Sequence, residues 1–166
     1  GLKPESFSLG ITALQRPTAD ARLALTIGES HVGLQITQGG GVLLLRALEG
    51  AVENTGGRIA LHTDVIAREL RITLGQLPEA TRHSLRNVRV FGPRELAQEL
   101  AVELQRRLGT LNLSVDMVTR YEAKEFGIVI PLDTPVSAAL SLAAERLAGR
   151  VPTFDFLPPK VSQWQQ

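Results

Sequence analysis

The stretch that decides the fold is Ala21 to Val42, ARLALTIGESHVGLQITQGGGV. Leu23, Leu25 and Ile27 alternate with smaller or polar residues, and Val32, Leu34 and Ile36 repeat the pattern. That period of two marks strands with one buried face. Ile27-Gly28-Glu29-Ser30 joins them as a tight turn presenting backbone amides and a hydroxyl. Gln38-Gly39-Gly40-Gly41 makes a second turn, where glycines tolerate positive φ. Strands are therefore expected near 22–27, 31–37 and 41–47, as an antiparallel meander. Val42-Leu43-Leu44-Leu45 is apolar on both faces, which predicts that the third strand is the buried central one.

Downstream, a polar, Gly-containing loop is expected from Glu49 to Arg58. A helix begins near Thr63, its expected N-cap, with Asp64 in the first turn and Ile66, Leu70, Leu74 and Leu77 in one stripe ahead of Pro78. Val88–Phe91 reads as a short strand stopped by Gly92-Pro93. Pro93 sits where a helix starts well; Leu96, Leu100, Leu104 and Leu108 form the next stripe, and Gly109 ends it. Leu113–Met117 alternates as a strand, and Gly127–Ile130 reads as another before Pro131. Thr134 and Pro135 are expected to open the last helix, with Leu140, Ala143, Ala144 and Leu147 inward and Gly149 at its end. Upstream, residues 4 to 20 read as a connection with one extended piece at Ser6–Leu9 and one helical turn through Ala13–Gln15.

The order β-β-β-α-β-α-β-α predicts a single mixed sheet with helices packed on it. At 166 residues the chain suits one domain with short ends. We expect a linker over 1–20, an α/β lobe over 21–150 and an extended tail over 151–166. Lys and Arg number 18 against 17 Asp and Glu, giving a net charge of +1. No global field steers such a chain to nucleic acid or to an anionic membrane. There are no cysteines, which removes disulfides, thiolate metal sites and cysteine nucleophiles. No run approaches a membrane span, GLKPESFSLG lacks the pattern of a signal peptide, and the missing initiator Met suggests an excised segment.

Three hairpin strands followed by helix–strand–helix–strand–helix resemble one lobe of the actin-like (ribonuclease H-like) ATPases. Within that group the chain is similar to the PilM/GspL family of type IV pilus and type II secretion assembly, relatives of FtsA. Gly1–Pro4 with Ile11–Leu14 resembles the link entering the second lobe, and Leu25-Thr26-Ile27-Gly28 the phosphate turn. Leu45-Arg46 resembles the end of the third strand, Ile66–Arg71 the following helix, and Val88–Pro93 a strand that ends there in paired glycines. Leu96 to Gly109 and Ser137–Ala143 resemble the helices that follow. Phe154-Asp155-Phe156-Leu157-Pro158 is similar to the motif with which the partner PilN docks.

The resemblance implies an actin-like lobe at the cytoplasmic face of a bacterial inner membrane, with PilN-like partners, no nucleic acid, a possible homodimer, and membrane contact only through a downstream segment. It implies ATP and Mg²⁺ for a two-lobe protein. It also assigns vestigial nucleotide-binding positions to Thr26, Gly28, Ser30, Arg68, Arg71 and Gly92, and partner docking to Phe154, Phe156, Leu157 and Pro158. The departures count against hydrolysis: Thr26 stands where the family has an acid that organises the metal-bound water. Gly92-Pro93 replaces the paired glycines, and the first lobe is absent. The expectation is a non-enzymatic assembly module without a cofactor of its own. The alternatives are a nucleotide-binding lobe active only with its missing half, and an unrelated small α/β domain.

The remaining chemistry-bearing residues have ordinary explanations. A hairpin turn alone accounts for Gly28, an amphipathic helix for Arg68 and Arg71, and a tail packed on its own domain for Phe154 to Pro158. His31, His62 and His83 lie far apart with no metal-ligand spacing. Arg82, Arg86, Arg89, Arg94, Arg106 and Arg107 interleave with Glu79, Glu95, Glu99 and Glu103, a solvated mixed surface rather than a nucleic-acid patch.

Overall fold

A computed structural model describes residues 8–15, 18–131 and 134–157, without the side chains of Ala123 and Lys124. The meander forms where the alternation places it: β1 (Arg22–Ile27), β2 (Val32–Gln38) and β3 (Gly41–Leu48). β4 (Val52–Thr55) and β5 (Arg58–Leu61) follow, then α2 (Thr63–Gln76) and α3 (Glu79–Ser84), with α1 (Ile11–Leu14) ahead of them all. The chain continues through β6 (Asn87–Phe91), α4 (Arg94–Leu108), a 3-10 turn at Gly109–Leu111, β7 (Ser114–Met117), α5 (Ala123–Phe126) and α6 (Ala138–Leu147).

Five strands make one sheet in the order β3-β2-β1-β6-β7. β2 is antiparallel to β1 and β3, while β1, β6 and β7 run parallel. That is the mixed sheet expected of a ribonuclease H-like lobe. The strand at its centre is β1, which pairs Leu23 with Ile36 on one side and with Val88 on the other. β3 is an edge strand, against the expectation drawn from its two apolar faces. Its leucines are divided: Leu44 packs on the main core, Leu45 lines a surface cavity, and Leu43 is exposed.

Alternation sends Leu23, Leu25, Ile27, Val32, Leu34, Ile36, Val88 and Val90 to one face, where α2 and α4 close over them with Ile66, Leu70, Leu74, Leu100, Leu104 and Leu108. Arg46 of β3 ties this layer down, donating to Thr73 Oγ1 at 2.7 Å and to Glu69 Oε2 at 3.2 Å on α2. The opposite face carries Ala24 and Phe91 under Leu14 of α1, and a second small cluster of Tyr121, Phe126 and Ala144. Gly33 lies under α1, where a Cβ would lie 2.6 Å from Ile11 Cδ1, the movable end of that side chain.

Several local expectations are corrected. Part of the expected loop from Glu49 to Arg58 is the β4–β5 hairpin, turned by Gly56 and Gly57 at φ 61° and 85°. Paired positive φ is what a two-residue hairpin loop requires, and its polar strands hid it. Gly127–Ile130 is not a strand. Thr63 is the first residue of α2 rather than a cap. α6 starts later than expected: Ser137, in an extended conformation, caps it by accepting from the Leu140 N–H at 3.2 Å. Its buried side holds Ser141 and Ala144, the Ser141 hydroxyl lying 3.0 Å from Tyr121 Oη, while Ala143 and Leu147 face outward, against the inward placing expected of them. Arg89 is no solvated cation. It forms a two-pronged pair with Glu125 at 2.7 and 2.9 Å and lies over the Phe91 ring.

Candidate functional site

The parallel strands β1, β6 and β7 end on the same side of the sheet, where open α/β sheets hold their ligands. A cleft of about 700 Å³ opens there. Its walls come from three turns, at Thr26-Ile27-Gly28, Phe91-Gly92-Pro93 and Val118-Thr119, and from the residues entering α6, Pro135 to Ala138. The amino-terminal ends of α4 and α6 face it, because each helix follows directly on one of these segments.

The cleft thus brings together three of the six nucleotide-site positions expected from the sequence: Thr26, Gly28 and Gly92. The other three lie elsewhere. Ser30 is exposed, its Oγ 3.2 Å from His31 Nδ1. Arg68 is an outward side chain of α2, 3.6 Å from Glu69. Arg71 donates to the Arg107 carbonyl at 2.8 Å and so fastens α2 to the end of α4. Nothing in the sequence pointed to the other cleft residues, Leu14, Arg94, Val118, Thr119 and Ser137, since each is brought in by topology rather than by a local motif.

The chemistry of these walls can be tested against a nucleotide and its metal. The Gly28 N–H is spent inside its own turn, donating to the His31 carbonyl at 3.0 Å. Gly92 is accounted for without a ligand, by its backbone at φ 153° and by packing, since a Cβ there would lie 2.8 Å from Ile27 Cβ. Against this, the Thr26 hydroxyl oxygen is buried without a hydrogen-bond partner, and a buried polar atom left unpaired is costly. The described lining contains no Asp or Glu, and Arg94 is its one charged residue. Such a donor set fits an anion or a neutral hydrogen-bonding group and does not fit Mg²⁺, which takes carboxylate oxygens. No group of His, Asp or Glu among the described residues has metal-binding geometry.

A second cavity of about 410 Å³ lies on the other flank of the same turn and shares Thr26 and Gly28. Far from both in sequence, the tail presents Phe154 and Phe156 as a stacked pair, ring centroids 6.2 Å apart and planes 21° from parallel. Asp155 Oδ1 accepts from the Leu157 N–H at 3.0 Å, which bends the backbone between them. Phe156 is 62% exposed. Pro158 and the expected residues beyond it lie outside the described residues.

Among solved structures, the chain is similar to a protein from Bacteroides thetaiotaomicron VPI-5482 with an actin-like ATPase fold and unknown function. The identity is 16% and the TM-score 0.44, over 66% of this chain and 35% of that one. No protein-family model matches the chain, and no curated protein matches it either. The ribonuclease H-like assignment stands on the strand order and directions of the sheet.

Proposed function

We propose that the chain is a non-enzymatic assembly module: an actin-like lobe of PilM/GspL type in a type IV pilus or type II secretion platform. In this reading it acts at the inner face of a bacterial inner membrane, by protein–protein recognition with a PilN-like partner. No described helix is long and apolar enough to cross a membrane, and membrane contact would come from a downstream segment. The observation that carries the proposal is the stacked Phe154–Phe156 pair, in which Phe154 is half-buried and Phe156 is exposed. Exposed aromatic anchors held in one geometry bind at low entropic cost. The described lining of the cleft, which holds no Asp or Glu, adds support, because phosphoryl transfer through Mg²⁺ needs acidic ligands there. Replacing Phe156 and Leu157 together by Ala should abolish capture of the platform partner in a pull-down while circular dichroism stays unchanged. Undiminished capture would refute the reading.

One observation favours a second reading, a nucleotide-binding lobe that works only beside a first lobe. Thr26 Oγ1 is unpartnered at the carboxyl end of β1, on the cleft wall. Micromolar Mg·ATP binding by a two-lobe protein, lost on Thr26→Val, would establish it over the assembly role.

A further inference from the structure

Among the described residues, one hydrogen bond ties the segment 8–15 to the rest of the chain: Gln15 Nε2 donates to Thr37 Oγ1 at 3.2 Å. The bonds of Thr12 and Ala13 run back to Leu9 and Gly10, inside the segment itself. Beneath it the sheet is polar. Gln35 is fully buried with neither amide atom paired, and Thr26 Oγ1, Gln15 Oε1 and Ser8 Oγ are unpaired as well. Every buried, unpaired side-chain atom among the described residues thus lies in this segment or on the sheet face it covers. Each such atom costs stability while the seam is shut. Apolar contact is what shuts it: Leu14 sits on Ala24 and Phe91, and Gly10 fits against Ala138, where a Cβ would lie 2.9 Å from Ala138 Cβ. Beyond the segment the chain is held at Thr18 and Ala19, whose carbonyls accept from the Gly40 and Gly39 N–H groups at 3.3 Å.

We infer that residues 8–15 are a lid that opens while the rest of the domain stays folded, and that its opening joins two cavities into one trough. α1 stands between those cavities. Leu9 and Ile11 line the second cavity, Leu14 lines the cleft, and Thr26 and Gly28 belong to both. Lifting the lid removes the partition and uncovers Ala24. It also lets the Gln35 amide and the hydroxyls of Thr26 and Thr37 meet water or the polar group of a ligand. Opening therefore recovers the polar cost of the closed state, which sets its free energy below that of global unfolding. The other face has no such seam: α2 and α4 close over apolar side chains, and none of its described buried polar side-chain atoms is unpaired. A pocket that exists only in a minor open state is cryptic in the closed one. The inference goes beyond the assembly reading and does not involve the tail.

Thiol labelling of the full chain tests this, since the sequence has no cysteine of its own. Ala24 is fully buried beneath the lid, and Ala67 of α2 is buried to 1% exposure in the main core. In native buffer Ala24→Cys should label about a hundredfold faster than Ala67→Cys. Low urea should hasten labelling at position 67 steeply and at position 24 little, because a local opening exposes little surface. Adding Gln35→Met, which removes the orphaned amide, should slow labelling at position 24 by about fivefold. Hydrogen exchange on the unsubstituted chain gives a second reading that needs no new side chain. The Thr12 and Ala13 amides, bonded though they are, should exchange with little dependence on urea, while that of Leu25 follows global unfolding. Equal labelling at positions 24 and 67, a steep urea dependence at both, or Thr12 and Ala13 amides as slow as that of Leu25 would each overturn the lid. So would a Gln35→Met chain whose position 24 labels no more slowly.

Discussion

On one face of the sheet, helices of 14 and 15 residues close over an apolar cluster that runs unbroken from Ala21 to Leu113. On the other, a four-residue helix and a ten-residue helix cover two small clusters, and polar side chains are sealed among them. Among the described residues, the side-chain atoms that are buried without a partner, on Ser8, Gln15, Thr26 and Gln35, belong to this second side or to the segment crossing it. The cleft and the second cavity open from this side, while a further cavity of about 490 Å³ lies beside α4 and β7 at the edge of the first. The contrast teaches a division of labour. The face with long helices carries the larger core, and the face covered by short helices leaves buried polar atoms unpaired.

The sharpest way to break that contrast is a cavity on the first face. Leu100 is fully buried on α4, and Leu100→Ala should cost about 2–5 kcal/mol in a urea titration. That is a large fraction of what holds a domain of this size. A loss no greater than that of an exposed substitution would erase the distinction between the faces.

On the second face the sign should reverse. Gln35 is fully buried on β2, and neither its amide nitrogen nor its amide oxygen has a partner. Gln35→Met keeps the shape and removes the orphaned dipole, so the same titration should show a gain of about 1 kcal/mol. Destabilisation by this variant would mean that the amide is satisfied and the face is better built than described.

The smallest effect belongs to the surface. Glu103 accepts from Arg106 at 2.8 Å and from Arg107 at 3.2 Å. Those hydrogen bonds, Arg106's the larger, hold its carboxyl below the usual carboxylate range. The stabilisation is therefore present above the ordinary carboxylate value and is lost as pH falls through the lowered one. Glu103→Gln should leave Tm at neutral pH nearly unchanged and flatten only the acid limb of a Tm–pH profile. A drop comparable with that of Leu100→Ala would place stability on the surface instead.

The first face was the legible one. Strict alternation in Leu23–Ile27 and Val32–Ile36, and leucines every four residues in α4, are signals of burial on one side. They placed β1, β2 and α4 within a residue or two of where they lie. The second face gave no such signal. Leu43, Leu44 and Leu45 predicted a central strand because hydrophobicity reports burial and not sheet position, and β3 is an edge. Ala143 and Leu147 were placed inward because they are apolar and spaced on one helix stripe. Tyr121 and Phe126 instead engage Ser141 and Ala144, which leaves both residues facing solvent. Of the expected nucleotide site, Thr26, Gly28 and Gly92 come together because strand ends converge. Arg68 and Arg71 do not, because periodicity assigns a helix face without saying which wall it meets.

The position of β1 also dictates the order in which the sheet can form. Residue 23 meets residue 36 across one tight turn, but it meets residue 88 only after α2 and α3 have been made. Loop closure makes the first pairing fast and the second slow. During synthesis the meander is complete while the outer edge of β1 still has no neighbour, and that edge stays open to foreign strands until Phe91 has left the ribosome. The strand that ends as the most protected of the sheet is, for that interval, its most vulnerable one.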